Sequence, residues 1–180
     1  MSLKINLFVF ALVLVVLMPV VSQAQDVVIA VVDVEKVISE SKAGKSIQEQ
    51  LKSRREAFQK EFSDREDKLM KAEKTLVKQK TDLNADDFAK KRKEFEAQLL
   101  ETRKLFQKRR NSLDKGLGKA LATLRKNIIE VTASIADEKK YQVVLTRDSV
   151  VIVQKEMDIT KEVLSRLNKK ISKIKLDSAG

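Results

Sequence analysis

The chain has 180 residues, 43% of them hydrophobic and 35% charged, with 37 Lys and Arg against 26 Asp and Glu for a net charge of +11. It contains no His and no Cys, so disulfides and the usual nucleophile–base pairs are excluded, and stability must come from packing. No glycine-rich phosphate loop or fixed carboxylate pair is legible either, so neither an enzyme nor a bound cofactor is expected.

The N-terminus reads as a targeting signal. Lys4 precedes an almost unbroken apolar run from Leu7 to Val21, and Pro19 leads into Ser22-Gln23-Ala24, small residues of the kind a signal peptidase reads. A membrane anchor usually needs about 20 apolar residues, and this run is shorter, so residues 1–24 are expected to be a signal peptide cleaved after Ala24. The mature chain would then be exported. Without a cysteine the segment cannot be that of a lipoprotein.

Asp26 to Val34, DVVIAVVDV, is a β-branched run suited to a buried strand. A helical stretch begins at Val37 and Ile38, and Gly44 marks a joint before the longest feature of the sequence. From Lys45 to Leu83 a sparse apolar seam runs through Ile47, Leu51, Phe58, Phe62, Leu69, Ala72, Leu76 and Leu83, with Arg54 and Arg65 in its gaps. From Phe88 to Ile135 a second seam runs through Phe95, Leu99, Phe106, Leu113, Leu117, Ala120, Leu124, Ile128 and Val131. Steps of three and four are a helical period. The composition alone would also suit disorder, but a rhythm sustained over this length argues for helices. They meet at the polar break Thr81 to Asp87, which predicts a long antiparallel hairpin with arms of about 60 Å.

Lys42 to Lys140 carries 27 Lys and Arg against 17 Asp and Glu, +10 of the total charge. Two uninterrupted basic clusters stand out, Lys90-Lys91-Arg92-Lys93 and Lys108-Arg109-Arg110. Solvated helix faces account for any single lysine; the collective excess points to an acidic partner. Phe58, Phe62, Phe88, Phe95 and Phe106 are expected to pack the two arm helices together, whereas Leu100 and Leu105 fall off the seam and are candidates for contact with a partner. Gly116 and Gly118 interrupt the second helix, either for close packing or as a hinge. Asp82, Asp86 and Asp87 at the tip suit capping and turn formation better than metal binding.

After the arm, Tyr141 to Leu145 reads as a strand, Arg147-Asp148-Ser149 as a turn, and Val150 to Val153 as a second strand pairing back on it. Asp158 is placed as the N-cap of a terminal helix with Val163, Leu164, Leu167 and Ile171 on its inner side, and Leu176 to Gly180 is expected to fray. Three short strands cannot bury a core alone, so several chains are expected to pool them. The fold class is thus mainly α with a small β body (α+β): residues 25–44 and 136–180 form a β-rich oligomerisation body, and residues 45–135 a projecting helical-hairpin arm with its tip at about 81–87.

The order of these elements, with IAVVDVEKV from Ile29, IADEKKYQVVL from Ile135, and VIVQKEMDITKEVLSRLN from Val151, resembles the Skp/OmpH family of periplasmic chaperones. The similarity spans the mature chain and carries no catalytic motif. It departs at Lys140, where the family often has glycine, and at Thr146, where aspartate is frequent. The resemblance implies a trimer with three helical tentacles around a cavity. It also implies ATP-independent holding of unfolded outer-membrane β-barrel proteins and their delivery for insertion. Lys90, Lys91, Arg92, Lys93, Leu100, Leu105, Lys108, Arg109 and Arg110 would then be client contacts, and anionic lipids or lipopolysaccharide secondary ones. The rivals are nucleic-acid binding and a coiled-coil spacer between envelope layers. The basic balance suits the first, but the export signal and the lack of interleaved aromatic residues oppose a physiological nucleic-acid partner.

Overall fold

The computed structural model of the protein describes residues 27–177; the signal-peptide expectation falls outside them. The first strand, β1 (Ile29–Val32), leads into a short helix, α1 (Val34–Glu40). The Asp33 side chain caps α1 by accepting the Lys36 N–H at 2.8 Å. The next helix, α2, runs from Lys42 to Gln79, and α3 runs from Ala85 to Lys139. With 38 and 55 residues, they extend about 57 Å and 82 Å at the usual helical rise.

Local chemistry sets these boundaries. The joint before the long hairpin lies at Ser41 and not at Gly44. The buried Ser41 hydroxyl oxygen accepts the Gly44 N–H at 3.0 Å and so caps α2. Gly44 lies inside α2, where a side chain would collide with the Ile38 carbonyl oxygen, 1.7 Å from an ideal Cβ. It is there for close approach of α1. At the tip, Asn84 caps α3 by accepting the Asp87 N–H at 2.9 Å, and Asp86 and Asp87 occupy its first turn, favourably placed against the helix dipole. At the far end Lys140 adopts a left-handed conformation, φ 59° and ψ 32°, and the Tyr141 N–H reaches back to the Ala136 carbonyl at 3.0 Å. That six-to-one bond is the terminator that normally favours glycine.

All residues of both seams are buried or partly buried, but unevenly. Leu124, Ile128, Val131 and Ile135 of α3 are fully enclosed with Val37, Ile47, Ala30 and Val32 at the base of the hairpin. Towards the tip only two helices face each other and the seam is half-covered. There the rings interlock: Phe106 meets Phe62 edge-on at 4.7 Å between centroids and Phe58 at 5.4 Å.

Strand β2 (Val143–Thr146) pairs parallel with β1, Ile29 opposite Val143 through Val32 opposite Thr146. The expected hairpin partner at Val150–Val153 is not a strand. Residues 147–149 form a single 3-10 turn, and Val151 and Ile152 project into solvent at 94% and 87% exposure. Their β-branched character gave the right propensity, but the single chain offers them no partner.

The last helix, α4 (Thr160–Lys170), begins two residues after Asp158. Asp158 still accepts the Thr160 N–H at 2.8 Å, and Thr160 in turn accepts the Asp33 N–H at 2.9 Å, tying β1 to α4. Burial works against the Asp158 charge, yet the Thr160 hydrogen bonds outweigh it and hold the carboxyl below its ordinary value. Helix α4 lies antiparallel to α3. Arg166 bridges Glu138 at 2.6 Å and Glu162 at 2.7 Å, and Lys170 reaches Glu130 at 2.6 Å. Beyond α4 the expected fraying does not begin at Leu176, and residues 178–180 lie outside those described. Ile174 and Leu176 enter the core, at 8% and 1% exposure.

Candidate interaction surface on the hairpin

The sequence candidates separate into distinct places. Lys90, Lys91, Arg92 and Lys93 lie just past the tip. Lys90 faces Asp87 at 3.8 Å and Arg92 faces Glu96 at 3.5 Å, whereas Lys91 and Lys93 are exposed without an ion pair among the described residues. Leu100 is 53% exposed on α3 and is not among the residues that line the groove described next. Met70 and Val77 of α2, at 51% and 65%, are also exposed apolar side chains, which the seam assignment passed over.

The second cluster is built differently. Leu105, Lys108, Arg109 and Arg110 line a groove of about 900 Å³ together with Arg54, Arg55 and Phe58 from α2. Both helices contribute cations, and the floor between them is apolar, with Phe58, Leu105 and Leu113. Glu61 is shared between Arg109 at 3.7 Å and Arg65 at 3.4 Å. Arg54, Arg55, Lys108 and Arg110 have no ion-pair partner among the described residues and outnumber the lining carboxylates Glu61 and Asp114, so the groove keeps a net positive field. Arg54 and Arg55 could not be assigned to a site from sequence, because their position against Arg109 depends on the helix register. That register follows from the length of the tip turn.

The two glycines also separate. A side chain at Gly116 would lie 2.2 Å from the Asp177 carbonyl oxygen, so this glycine makes room for the C-terminal tail. Around Gly118 nothing lies within 4 Å of an added Cβ.

At the base, an exposed apolar strip surrounds the small sheet: Val27, Val28, Val143 and Leu145 are 59%, 44%, 41% and 37% exposed, beside Val151 and Ile152. Parallel strands are normally covered on both faces. Arg147, between β2 and Val151, has one buried guanidinium nitrogen without a hydrogen-bond partner. Among the described residues no group of His, Cys, Asp or Glu is arranged to hold a metal, and no helix is long and apolar enough to cross a membrane.

Comparison with known proteins agrees with this architecture. The crystal structure of a protein described as an OmpH-like outer membrane chaperone from Caulobacter crescentus CB15 superimposes with a TM-score of 0.78. It covers 83% of this chain and 89% of its own, at 21% identity, a likeness of fold. No curated protein sequence matches the chain. The profile of the outer membrane protein (OmpH-like) family matches residues 28–167, from the start of the small sheet to the last buried leucine of α4. That match takes in sheet, hairpin and terminal helix in order, and the chain therefore belongs to the OmpH-like family, whose members are non-enzymatic periplasmic chaperones of outer membrane proteins.

Proposed function

We propose that the protein is an ATP-independent periplasmic holdase. It keeps unfolded outer-membrane β-barrel proteins from aggregating and passes them on for insertion, holding them between the hairpins of an oligomer. The observation that carries this reading is the hairpin itself, whose seam loses its cover towards the tip while unpaired cations line it. An unfolded barrel strand alternates apolar residues and seeks an edge to pair with. Many shallow apolar and charged contacts restrain such a chain without a deep pocket. The contacts assigned to it are Lys90, Lys91, Arg92, Lys93, Leu100, Leu105, Lys108, Arg109 and Arg110. Anionic lipid or lipopolysaccharide phosphates are secondary ligands of the same cations.

The oligomer rests on the apolar strip. Residues 25–44 and 136–180 form the shared body and residues 45–135 the arm, and a trimer is the arrangement that the family resemblance implies. A second copy covers Val143, Leu145, Val151 and Ile152 and supplies an acceptor for Arg147. Export requires removal of residues 1–24, which N-terminal sequencing of the periplasmic protein checks. A hinge at Gly118 would let the arms spread; Gly118→Ala with an unchanged range of client sizes removes that idea.

The deciding experiment dilutes a urea-unfolded barrel protein into buffer with the mature chain and follows light scattering and complex mass. Suppression at equimolar oligomer is expected, weakening with salt over the range in which exposed charges are screened. Undiminished aggregation refutes the holdase. Val151→Ser with Ile152→Ser is expected to lower the oligomer mass in sedimentation, and an unchanged mass refutes the assigned interface.

A further inference from the structure

One groove between α2 and α3 is filled in its basal half and open in its distal half. The filler is the protein's own tail. Gln50 donates its amide N–H to the Ile174 carbonyl at 2.8 Å and accepts the Leu176 N–H at 3.0 Å. Both contacts are to backbone, so this clamp holds an extended chain without regard to its side chains. The tail runs towards the tip, because α4 is antiparallel to α3 and Asp177 has reached Gly116.

The distal half continues on the same helix faces. Arg54 follows Gln50 by one turn, and Leu113 and Arg109 precede Gly116 by one and two turns, so they share one side of each helix. There the groove is open, about 900 Å³, with its apolar floor and unpaired cations. From Leu105 to Leu113 it spans about 12 Å, the length of about four extended residues.

We propose that this distal half binds a short, extended, acidic segment of an unfolded polypeptide. Apolar side chains rest on Phe58, Leu105 and Leu113, and carboxylates meet Arg55, Lys108 and Arg110. The tail in the basal half shows the mode of binding, and the change from a neutral clamp to a cationic rim sets the preference for acid. The inference rests on the holdase reading and names the place on the arm where an acidic stretch of client is held.

The test uses the intact mature oligomer and a fluorescein-labelled decapeptide alternating Glu with Val and Leu, beside its Lys-for-Glu counterpart. Anisotropy is read for Arg55→Ser with Arg110→Ser, and for Lys71→Ser with Lys74→Ser, which removes equal charge from an exposed face of α2 outside the groove. The groove pair is expected to weaken acidic-peptide binding about fivefold to tenfold, as loss of two exposed charge contacts allows, while the control pair leaves it nearly unchanged and the Lys peptide does not bind. Equal weakening by both pairs overturns the site, since net charge would then suffice. Binding of phosphatidylglycerol vesicles that depends on the groove pair, without peptide binding, also overturns it in favour of lipid. Leu105→Asp, checked for wild-type helicity and mass, is the second variant and must also weaken the acidic peptide. A photo-crosslinker on the peptide is expected to label residues between Leu105 and Leu113; labelling confined to the tip overturns the proposal. The aggregation assay separates the two readings. Suppression by the wild type without groove-dependent peptide binding refutes the groove alone. Peptide binding without suppression refutes the holdase.

Discussion

Gly116 and Gly118 stand two residues apart in one helix, and alanine is expected to act on them with opposite sign. At Gly118 the added methyl meets nothing within 4 Å, so the substitution only improves helix propensity and stabilises by about 1 kcal/mol. At Gly116 the same propensity gain applies, but the methyl would sit 2.2 Å from the Asp177 carbonyl oxygen, about 1 Å inside ordinary C–O contact. The tail must withdraw. With it go the burial of Leu176, which is 1% exposed and worth about 1.5–3 kcal/mol, and the bond from its N–H to Gln50, worth about 1 kcal/mol. Subtracting the propensity gain leaves a net loss of about 2 kcal/mol at Gly116. Urea unfolding followed at 222 nm, at one fixed protein concentration because assembly contributes to stability, measures both variants. The tail is isolated by repeating Gly116→Ala in a chain ending at Ser172, where the substitution should become stabilising like Gly118→Ala. Equal stabilisation by both alanines in the full chain would refute the reasoning, as would a Gly116→Ala loss that persists without the tail.

Replacing Lys140, which holds φ 59°, with glycine should relieve the left-handed penalty and stabilise by about 1 kcal/mol in the same urea assay. Gln50→Ala removes both backbone contacts of the tail and should destabilise by about 1–2 kcal/mol, with faster hydrogen exchange at the Leu176 amide than in the wild type. Glu138 is held below its ordinary range by its hydrogen bond to Arg166, Glu130 by its bond to Lys170, and Glu162 by its bond to Lys139. Depressed carboxyls add stability above the unfolded value of about 4.5 and lose it as pH falls through the folded value. Melting of the wild type should therefore decline below that pH more steeply than melting of Arg166→Ala with Lys170→Ala, and parallel declines would show that the bridges contribute nothing.

The helical hairpin was legible because its seam repeats for many turns, and the start of α3 carries its own capping chemistry at Asn84 and Asp87. The base was less so. Val150 to Val153 has the composition of a strand, but propensity does not reveal whether a partner is present, and in the single chain Val151 and Ile152 are bare. The tail was misread for the opposite reason. Chain ends fray by default, yet Lys173-Ile174-Lys175-Leu176 alternates polar and apolar as a chain bound along a groove does. The clusters Lys90 to Lys93 and Lys108 to Arg110 look alike in sequence. Only the pairing of α2 with α3 puts Arg54 and Arg55 beside the second. Gly116 and Gly118 were indistinguishable for the same reason, since the contact that separates them comes from Asp177.

The parallel sheet has a consequence for the order of folding. Ile29 pairs with Val143 and Val32 with Thr146, so the first strand made must wait for one synthesised after the whole hairpin. Closing so long a loop from an unordered chain is slow, because entropy is lost before any contact compensates for it. The tip turn shortens the search: once Asn84 caps α3 and the helices zip towards the base, the two strand segments are delivered side by side. An interruption near Leu83 should therefore delay sheet formation at the opposite end of the molecule, while the strands themselves remain intact.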